Sequence, residues 1–250
     1  MYHFYTEKTN ILDKNIYIYG DDVNHIKNVL RMKEGEEISI CDREGTDYHT
    51  KIVSLGKDEI KTEILCSGIS EAELPFRVHL FQGLPKKDKM EMIIQKSVEL
   101  GVHEIIPVMT KRVIVKLDDK KKEEAKLKRW QAISESAAKQ SGRGLIPEIK
   151  NCMSFKDAIT YAASMNKIFI PYENAPNSPQ DMKEYLKEIS NLKPDTDVAV
   201  FIGPEGGFEP KEVDEAVNAG AVTISLGKRI LRTETAGIML LSVIGFVNEN

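Results

Sequence analysis

The chain has 250 residues, 41% of them apolar, and a mean hydropathy of -0.32. That supports one large folded domain or two modest ones, and a formal charge of -4 excludes a protein that coats nucleic acid indiscriminately. No apolar run is long enough to span a bilayer, and Met1-Tyr2-His3-Phe4-Tyr5 lacks the basic-then-apolar shape of a secretory signal, so a cytoplasmic chain without membrane contact is expected.

In chain order, the first predicted element is a helix. Asp21 or Asp22 caps a segment holding Val23, Ile26, Val29 and Leu30 at helical spacing, with Gly35 beyond its end. Strand alternation follows at 36–41 around Ile38 and Ile40, then at 48–53 and 59–65, with a turn at Asp42-Arg43-Glu44-Gly45. These elements predict a small β-rich barrel or sheet over residues 1–72. The polar stretch 67–75, with Gly68, Ser70, Glu71 and Glu73, reads as the linker to a second domain over 73–250.

Beyond Pro75 the rhythm becomes strand, helix, strand, helix. Val78-His79-Leu80-Phe81 is a strand; Asp88 caps a helix bearing Met90, Ile93, Ile94, Ser97 and Val98, and Gly101 ends it. A strand at 105–108 and a helix at 119–141 come next, the helix with Leu127, Trp130, Ser134, Ala137, Ala138 and Ser141 on one stripe. A helix from Ser154, a strand at 167–171, a helix at 181–189 and a strand at 198–202 follow. Segments 210–218, 222–225 and 233–247 complete the series as helix, strand and helix. Such alternation predicts a largely parallel sheet covered by helices, an α/β domain.

Cys41, Cys66 and Cys152 have no Cys-x-x-Cys spacing, and His25, His79 and His103 have no metal-ligand spacing, so no metal is expected. Basic residues cluster at Lys86-Lys87-Asp88-Lys89, at Lys111-Arg112, along 116–129 and at Lys228-Arg229 with Arg232; the mixed run 118–129 reads as a solvated helix face. Two segments carry more information. Phe201-Ile202-Gly203-Pro204-Glu205-Gly206-Gly207-Phe208 sets glycines and one acid at the carboxyl end of a strand, where open α/β sheets bind ligands. It fits neither the dinucleotide fingerprint nor the phosphate loop. Ser225-Leu226-Gly227-Lys228-Arg229-Ile230-Leu231-Arg232-Thr233-Glu234-Thr235-Ala236 leaves a second strand, with Thr233 as a helix cap; Ile230 and Leu231 are either a pocket wall or ordinary packing.

Together these segments resemble the cofactor-binding signature of the RsmE branch of the SPOUT methyltransferases. The likeness extends to His25 with Val29-Leu30-Arg31-Met32 and Gly35, to Lys89-Met90-Glu91 through Gln95-Lys96 and Val98-Glu99-Leu100-Gly101, and to Glu135 with Gln140-Ser141-Gly142-Arg143. The chain departs from the family at its start, where His3 stands among positions that usually hold an arginine. The resemblance implies an N-terminal PUA-like β-barrel, a C-terminal SPOUT domain with a deep trefoil knot, and S-adenosyl-L-methionine as cofactor. It implies methylation of N3 of a uridine, position 1498, in 16S ribosomal RNA of the assembled small subunit. It also implies a homodimer, for which the apolar last helix is weak support and core burial an equal explanation.

The same resemblance assigns the cofactor to three loops: Ile170 and Pro171 with Glu173; Ile202, Gly203, Pro204, Glu205 and Gly206; and Leu226, Gly227, Ile230, Leu231 and Arg232, continuing to Thr235 and Ala236. RNA contact is assigned to Arg31, Lys33 and Arg43 of the barrel, to Lys86 and Lys89, and to Arg143, for which capping of helix carbonyls is the alternative. N3 of uridine is protonated at neutral pH, so the reaction needs a stabilised anion or a base. Arg232 is the candidate cation, facing O2 or O4 of the base, with an ion pair to Glu234 or Glu205 as the alternative. Glu205 is the candidate base, or else it orients a loop or the cofactor. The rival readings are a SPOUT enzyme for another RNA, a non-catalytic RNA-binding protein and, with the least support, a nucleotide hydrolase.

Overall fold

Two rhythms of burial along the chain build two sheets. The computed structural model describes residues 2–113, 120–175 and 179–249. The expected helix start at Asp119, the 116–119 part of the basic run and the 176–178 part of a loop lie outside these residues. The chain divides into two units, Met1–Glu73 with Ala138–Ile146, and Leu74–Ala137 with Pro147–Asn250.

The first unit opens with β1 (His3–Tyr5), a single 3-10 turn at Lys8–Asn10, β2 (Ile11–Leu12) and β3 (Asn15–Tyr19). Helix α1 (Asp21–Asn24) follows and continues as one π-helical turn, His25–Val29. Then come β4 (Glu37–Cys41), β5 (Thr46–Leu55) and β6 (Glu59–Ile69). The sheet runs β1-β4-β5-β6-β3-β2, with β1 parallel to β4 and the other pairs antiparallel. Alternation places Ile16, Ile18, Ile38, Ile40, Ile52 and Ile60 inward, where they pack with Phe4, Val23, Ile26 and Met32. The expected turn at 42–45 forms because the Asp42 carboxylate accepts from the N–H groups of Glu44 (2.9 Å) and Thr46 (3.0 Å). Asp21 and Asp22 lie in the first turn of α1 rather than before it; Gly20, at φ 71, is the N-cap residue.

The second unit contains β7 (Arg77–Gly83), α2 (Lys89–Glu99), β8 (Glu104–Met109), α3 (Lys120–Ser141), β9 (Glu148–Ile149) and β10 (Met153–Ser154). It continues with α4 (Phe155–Ala162), β11 (Lys167–Pro171), α5 (Pro179–Ser190), β12 (Asp197–Ile202), α6 (Pro210–Asn218), β13 (Val222–Ile224) and α7 (Thr233–Glu249). Its seven-stranded sheet has the order β10-β8-β7-β12-β11-β13, with β9 also on β8, and every pairing is parallel. Strands buried on both faces explain the apolar runs within β8 and β12 and the buried Val78, Leu80 and Phe81 of β7. Phe81 and Phe201 stack at 4.4 Å between centroids, packed with Phe155 of α4 and with Val213 and Ala216 of α6. Pro107, which has no N–H to give a ladder, falls between the residues of β8 that pair with β9 and those that pair with β10.

At α4 and α2 the helix ends follow local chemistry. Ser154 caps α4 through its hydroxyl, which accepts from Asp157 N–H at 3.2 Å, and Gly101 leaves α2 at φ 87. Asp88 makes no side-chain cap on α2. Thr233 is the first residue of α7 rather than its cap, and its hydroxyl has other partners. Among the described residues no helix is long and apolar enough to cross a membrane.

Candidate active site

Three neighbouring strands, β12, β11 and β13, end on one side of the second sheet, and the loops leaving them surround a cleft of about 830 Å³, a size that suits a small-molecule cofactor. The first wall is Pro171, Tyr172, Glu173 and Asn174; the second runs from Ile202 to Phe208; the third runs from Ser225 to Thr233, with Ala236 behind it. Lys89, Arg112 and Pro210 complete the lining. The cleft is mixed in character. Pro204, Leu226, Ile230 and Leu231 are apolar, while Glu173, Glu205, Lys89 and Arg232 bring charge.

The glycines are required by backbone geometry at two places. A Cβ on Gly203 would stand 3.1 Å from the Cα and carbonyl carbon of Gly207, tighter than ordinary contact, so a side chain there would press on the backbone of the 203–207 loop. Gly227 sits at φ 102, a left-handed conformation that side chains rarely adopt. The two loops are joined from beneath. Thr233 Oγ1 donates to Gly203 O at 2.6 Å and accepts from Gln82 Nε2 at 2.8 Å, and Gln82 is fully buried at the end of β7. Within 226–231, the backbone of the described residues makes one hydrogen bond in the chain, from Gly227 N–H to the Ser225 hydroxyl at 3.2 Å. Its other amides and carbonyls have no hydrogen-bond partner among the described residues.

Charge in the cleft is paired around Lys89. Its ammonium lies 3.0 Å from Glu205 Oε1 and 3.4 Å from Glu234 Oε2. Glu205 also accepts from Lys86 N–H at 3.1 Å, and Arg112 donates to Gly206 O at 2.7 Å. Burial alone works to raise the Glu205 pKa; the hydrogen bonds from Lys89 and Lys86 and the Lys89 charge overcome it and hold the carboxyl below the ordinary range. The hydrogen bond to Glu205 in turn holds the Lys89 ammonium above its ordinary value. The alternative pairing of Arg232 with Glu205 or Glu234 is therefore not adopted. Among the described residues no side-chain hydrogen bond or ion pair engages the exposed Arg232 guanidinium, which lines the cleft.

The structure thus brings together Pro171, Glu173, Ile202, Gly203, Pro204, Glu205, Gly206, Leu226, Gly227, Ile230, Leu231, Arg232 and Ala236. Ile170 is fully buried within β11, and Thr235 is exposed on the first turn of α7; neither lines the cleft. Lys86 is exposed beside Glu205, and Arg31, Lys33 and Arg43 are exposed on the first unit, Arg43 at 3.2 Å from Glu7. Arg143 is 2% exposed, and its guanidinium is bonded to the Glu73 carboxylate through Nε (3.2 Å) and Nη2. Sequence reasoning missed Arg112, Tyr172, Asn174 and Gln82. Arg112 had shown only as half of a basic pair, and Gln82 gave no signal because its partner, Thr233, is distant in sequence.

Residues 72–245 match the family model described as an RNA methyltransferase domain, and residues 18–65 match an RNA methyltransferase PUA domain. Over 93% of its length the chain is 37% identical to ribosomal RNA small subunit methyltransferase E of Bacillus subtilis, covering 90% of that protein. The corresponding protein of Mesomycoplasma hyopneumoniae is 36% identical, with 97% and 98% covered. The fold is also similar to a crystal structure of ribosomal RNA small subunit methyltransferase E from Neisseria gonorrhoeae bound to S-adenosyl methionine (TM-score 0.82, 30% identity, 99% of this chain and 98% of that one). A putative methyltransferase from Legionella pneumophila, in complex with the same cofactor, gives a TM-score of 0.79 at 31% identity, with 98% and 97% covered.

Proposed function

Since the chain belongs to the ribosomal RNA small subunit methyltransferase E family, we propose that it transfers a methyl group from S-adenosylmethionine to N3 of uridine 1498 in 16S ribosomal RNA. The observation that carries this reading is the convergence of three strand-end loops on one cleft, two of them glycine-bearing and tied together through Thr233 and Gly203. The residues present fit the cofactor. Unpaired main-chain groups of 226–231 suit the edge of an adenine, Leu226, Ile230 and Leu231 suit its faces, and Glu173 offsets a sulfonium charge.

When bound, S-adenosylmethionine supplies an electrophilic methyl group on sulfur. The chain's own residues then hold the uracil in line with it, and positioning of this kind accounts for much of the rate. The Arg232 guanidinium, which has no side-chain partner among the described residues, faces O2 or O4 of the base and stabilises the N3 anion. That lowers the cost of releasing the N3 proton to solvent. Glu205 already accepts from an ammonium and an amide, so its part is to hold the 203–207 loop rather than to take the proton.

RNA affinity comes from the first unit through Arg31, Lys33 and Arg43, with Lys86 and Lys89 at the cleft; Arg143 acts through Glu73 by fixing the 138–146 segment. The domains of this reading are 1–72 for RNA binding and 73–250 for methyl transfer. The trefoil knot belongs to the same proposal, supported by the strand order β12-β11-β13, which carries the last strand to the far side of β11. So does a homodimer, supported by Phe246 at 72% and Met92 at 42% exposure on the mutually packed helices α7 and α2. The substrate is the assembled small subunit, in the cytoplasm. Calorimetric titration with S-adenosylmethionine tests the cofactor half: one site per chain is expected, and no heat of binding would contradict it.

A further inference from the structure

The first sheet gathers three metal-ligating side chains on one face, far apart in sequence. Tyr5 pairs with Cys41 across the parallel β1–β4 ladder, and Cys41 pairs with Asp47 across the antiparallel β4–β5 ladder. His3 stands two residues before Tyr5 and so shares its face. His3, Cys41 and Asp47 therefore project from three adjacent strands toward one point. Their nearest ligand atoms, a ring nitrogen, the thiol sulfur and a carboxylate oxygen, all lie within 4.8 Å of one another. His3 Nε2 and Asp47 Oδ1 are 4.0 Å apart, and both atoms are buried with no hydrogen-bond partner among the described residues. Two buried polar atoms left unsatisfied at one point are uncommon and costly.

We propose that His3 Nε2, Cys41 Sγ and a carboxylate oxygen of Asp47 bind one divalent transition-metal ion, zinc by preference, with solvent as the fourth ligand. The donor set is borderline-soft, which suits zinc and disfavours magnesium or calcium. Tetrahedral zinc with ligands at about 2.0–2.3 Å needs neighbouring donor atoms roughly 3.3–3.8 Å apart, so from within 4.8 Å the donor atoms close by at most about 1.5 Å. Burial pushes the His3 imidazole down, toward the neutral form that ligates. It pushes the Cys41 thiol up to about 12, so without metal the sulfur keeps its proton and donates to Gly144 O. On binding, the sulfur–hydrogen bond breaks, the proton goes to solvent, and the thiolate–metal bond forms; one proton leaves per ion, and affinity rises with pH. The ion fastens β1, a three-residue strand at the sheet edge, to its two neighbours.

The test is titration of the full-length protein with cobalt(II) as an optical probe, followed by displacement with zinc. One equivalent giving thiolate-to-cobalt charge-transfer absorption is expected. The Cys41→Ser and His3→Gln variants should lose that absorption, and Asp47→Asn should weaken binding at least about ten-fold. The double variant Cys66→Ser, Cys152→Ser should retain it. Far-UV circular dichroism identifies any variant that fails to fold; Asp47→Asn, at a half-buried position, keeps the test available if Cys41→Ser does not fold. Absence of the charge-transfer absorption, or its persistence without Cys41, would overturn the site.

Discussion

The Thr233 hydroxyl donates to the Gly203 carbonyl at 2.6 Å, so the first residue of α7 is fastened to the loop that leaves β12. The same hydroxyl accepts from buried Gln82 at 2.8 Å, which ties both loops to the end of β7. A side chain expected to cap a helix instead sets the spacing between two walls of the cleft. Removing it should loosen the cleft without unfolding the sheet.

Thr233→Val keeps the shape and deletes the hydroxyl. A buried hydrogen bond of this kind is worth about 1–2 kcal/mol, so affinity for S-adenosylmethionine should fall roughly ten-fold while far-UV circular dichroism stays unchanged. Calorimetry checks this, and unchanged affinity would show that the tie does not position the loops.

Gly203→Ala puts a methyl group 3.1 Å from the Gly207 backbone, and Gly227→Ala forces an alanine to φ 102. Strain of this kind costs about 1–3 kcal/mol. Each variant should lose cofactor affinity by about ten-fold or more with a smaller loss of thermal stability, since both loops lie outside the core. A melting point that falls as steeply as binding would contradict the local reading.

Arg232→Ala should lower kcat by roughly a hundred-fold or more, the usual consequence of removing a group that stabilises developing charge. The cofactor KM should change little. The variant's rate should climb more steeply with pH than that of the parent, because solution must now generate the N3 anion unaided. An unchanged kcat would remove Arg232 from the chemistry.

At the other ends of the strands, His79 lies between Glu104 (2.7 Å) and Asp197 (2.9 Å), with Arg77, Lys150 and Tyr161 completing the cluster. Burial would raise the Glu104 pKa, but hydrogen bonds from His79 and Tyr161 and the charges of His79 and Lys150 bring it down to about 2, from an ordinary 4.5. Arg77 chiefly, aided by His79, brings Asp197 to about 2 from 3.8. Because both are depressed in the folded state, their contribution is complete above about pH 4.5 and is lost as pH falls toward 2. For Glu104 that is on the order of 3 kcal/mol. Urea unfolding from pH 6 down to 2 should show this loss, and Glu104→Gln should flatten it.

The elements that build the cleft were legible because their signals are local. Buried parallel strands read as apolar runs at 78–81 and 198–202, and glycines with one acid mark the strand end at 202–207. The polar stretch 67–75 was expected as a linker, but its first three residues, 67–69, belong to β6, which pairs them with β5. Strands β1, β2 and β3 were not singled out; β1 and β2 have only three and two residues, too few for alternation to register. Long-range pairing was also hidden. Nothing local tells that Arg143 will be buried against Glu73, that Gln82 will reach Thr233, or that His3, Cys41 and Asp47 will share one face. These depend on which strands become neighbours.

The most direct measurement incubates the purified protein with labelled S-adenosylmethionine and small ribosomal subunits from a strain lacking the enzyme, then identifies the modified nucleoside by mass spectrometry. The account requires N3-methyluridine, at one position of 16S ribosomal RNA, absent when Arg232→Ala replaces the parent. A different methylated nucleoside, or no incorporation by a protein that binds the cofactor, would contradict it.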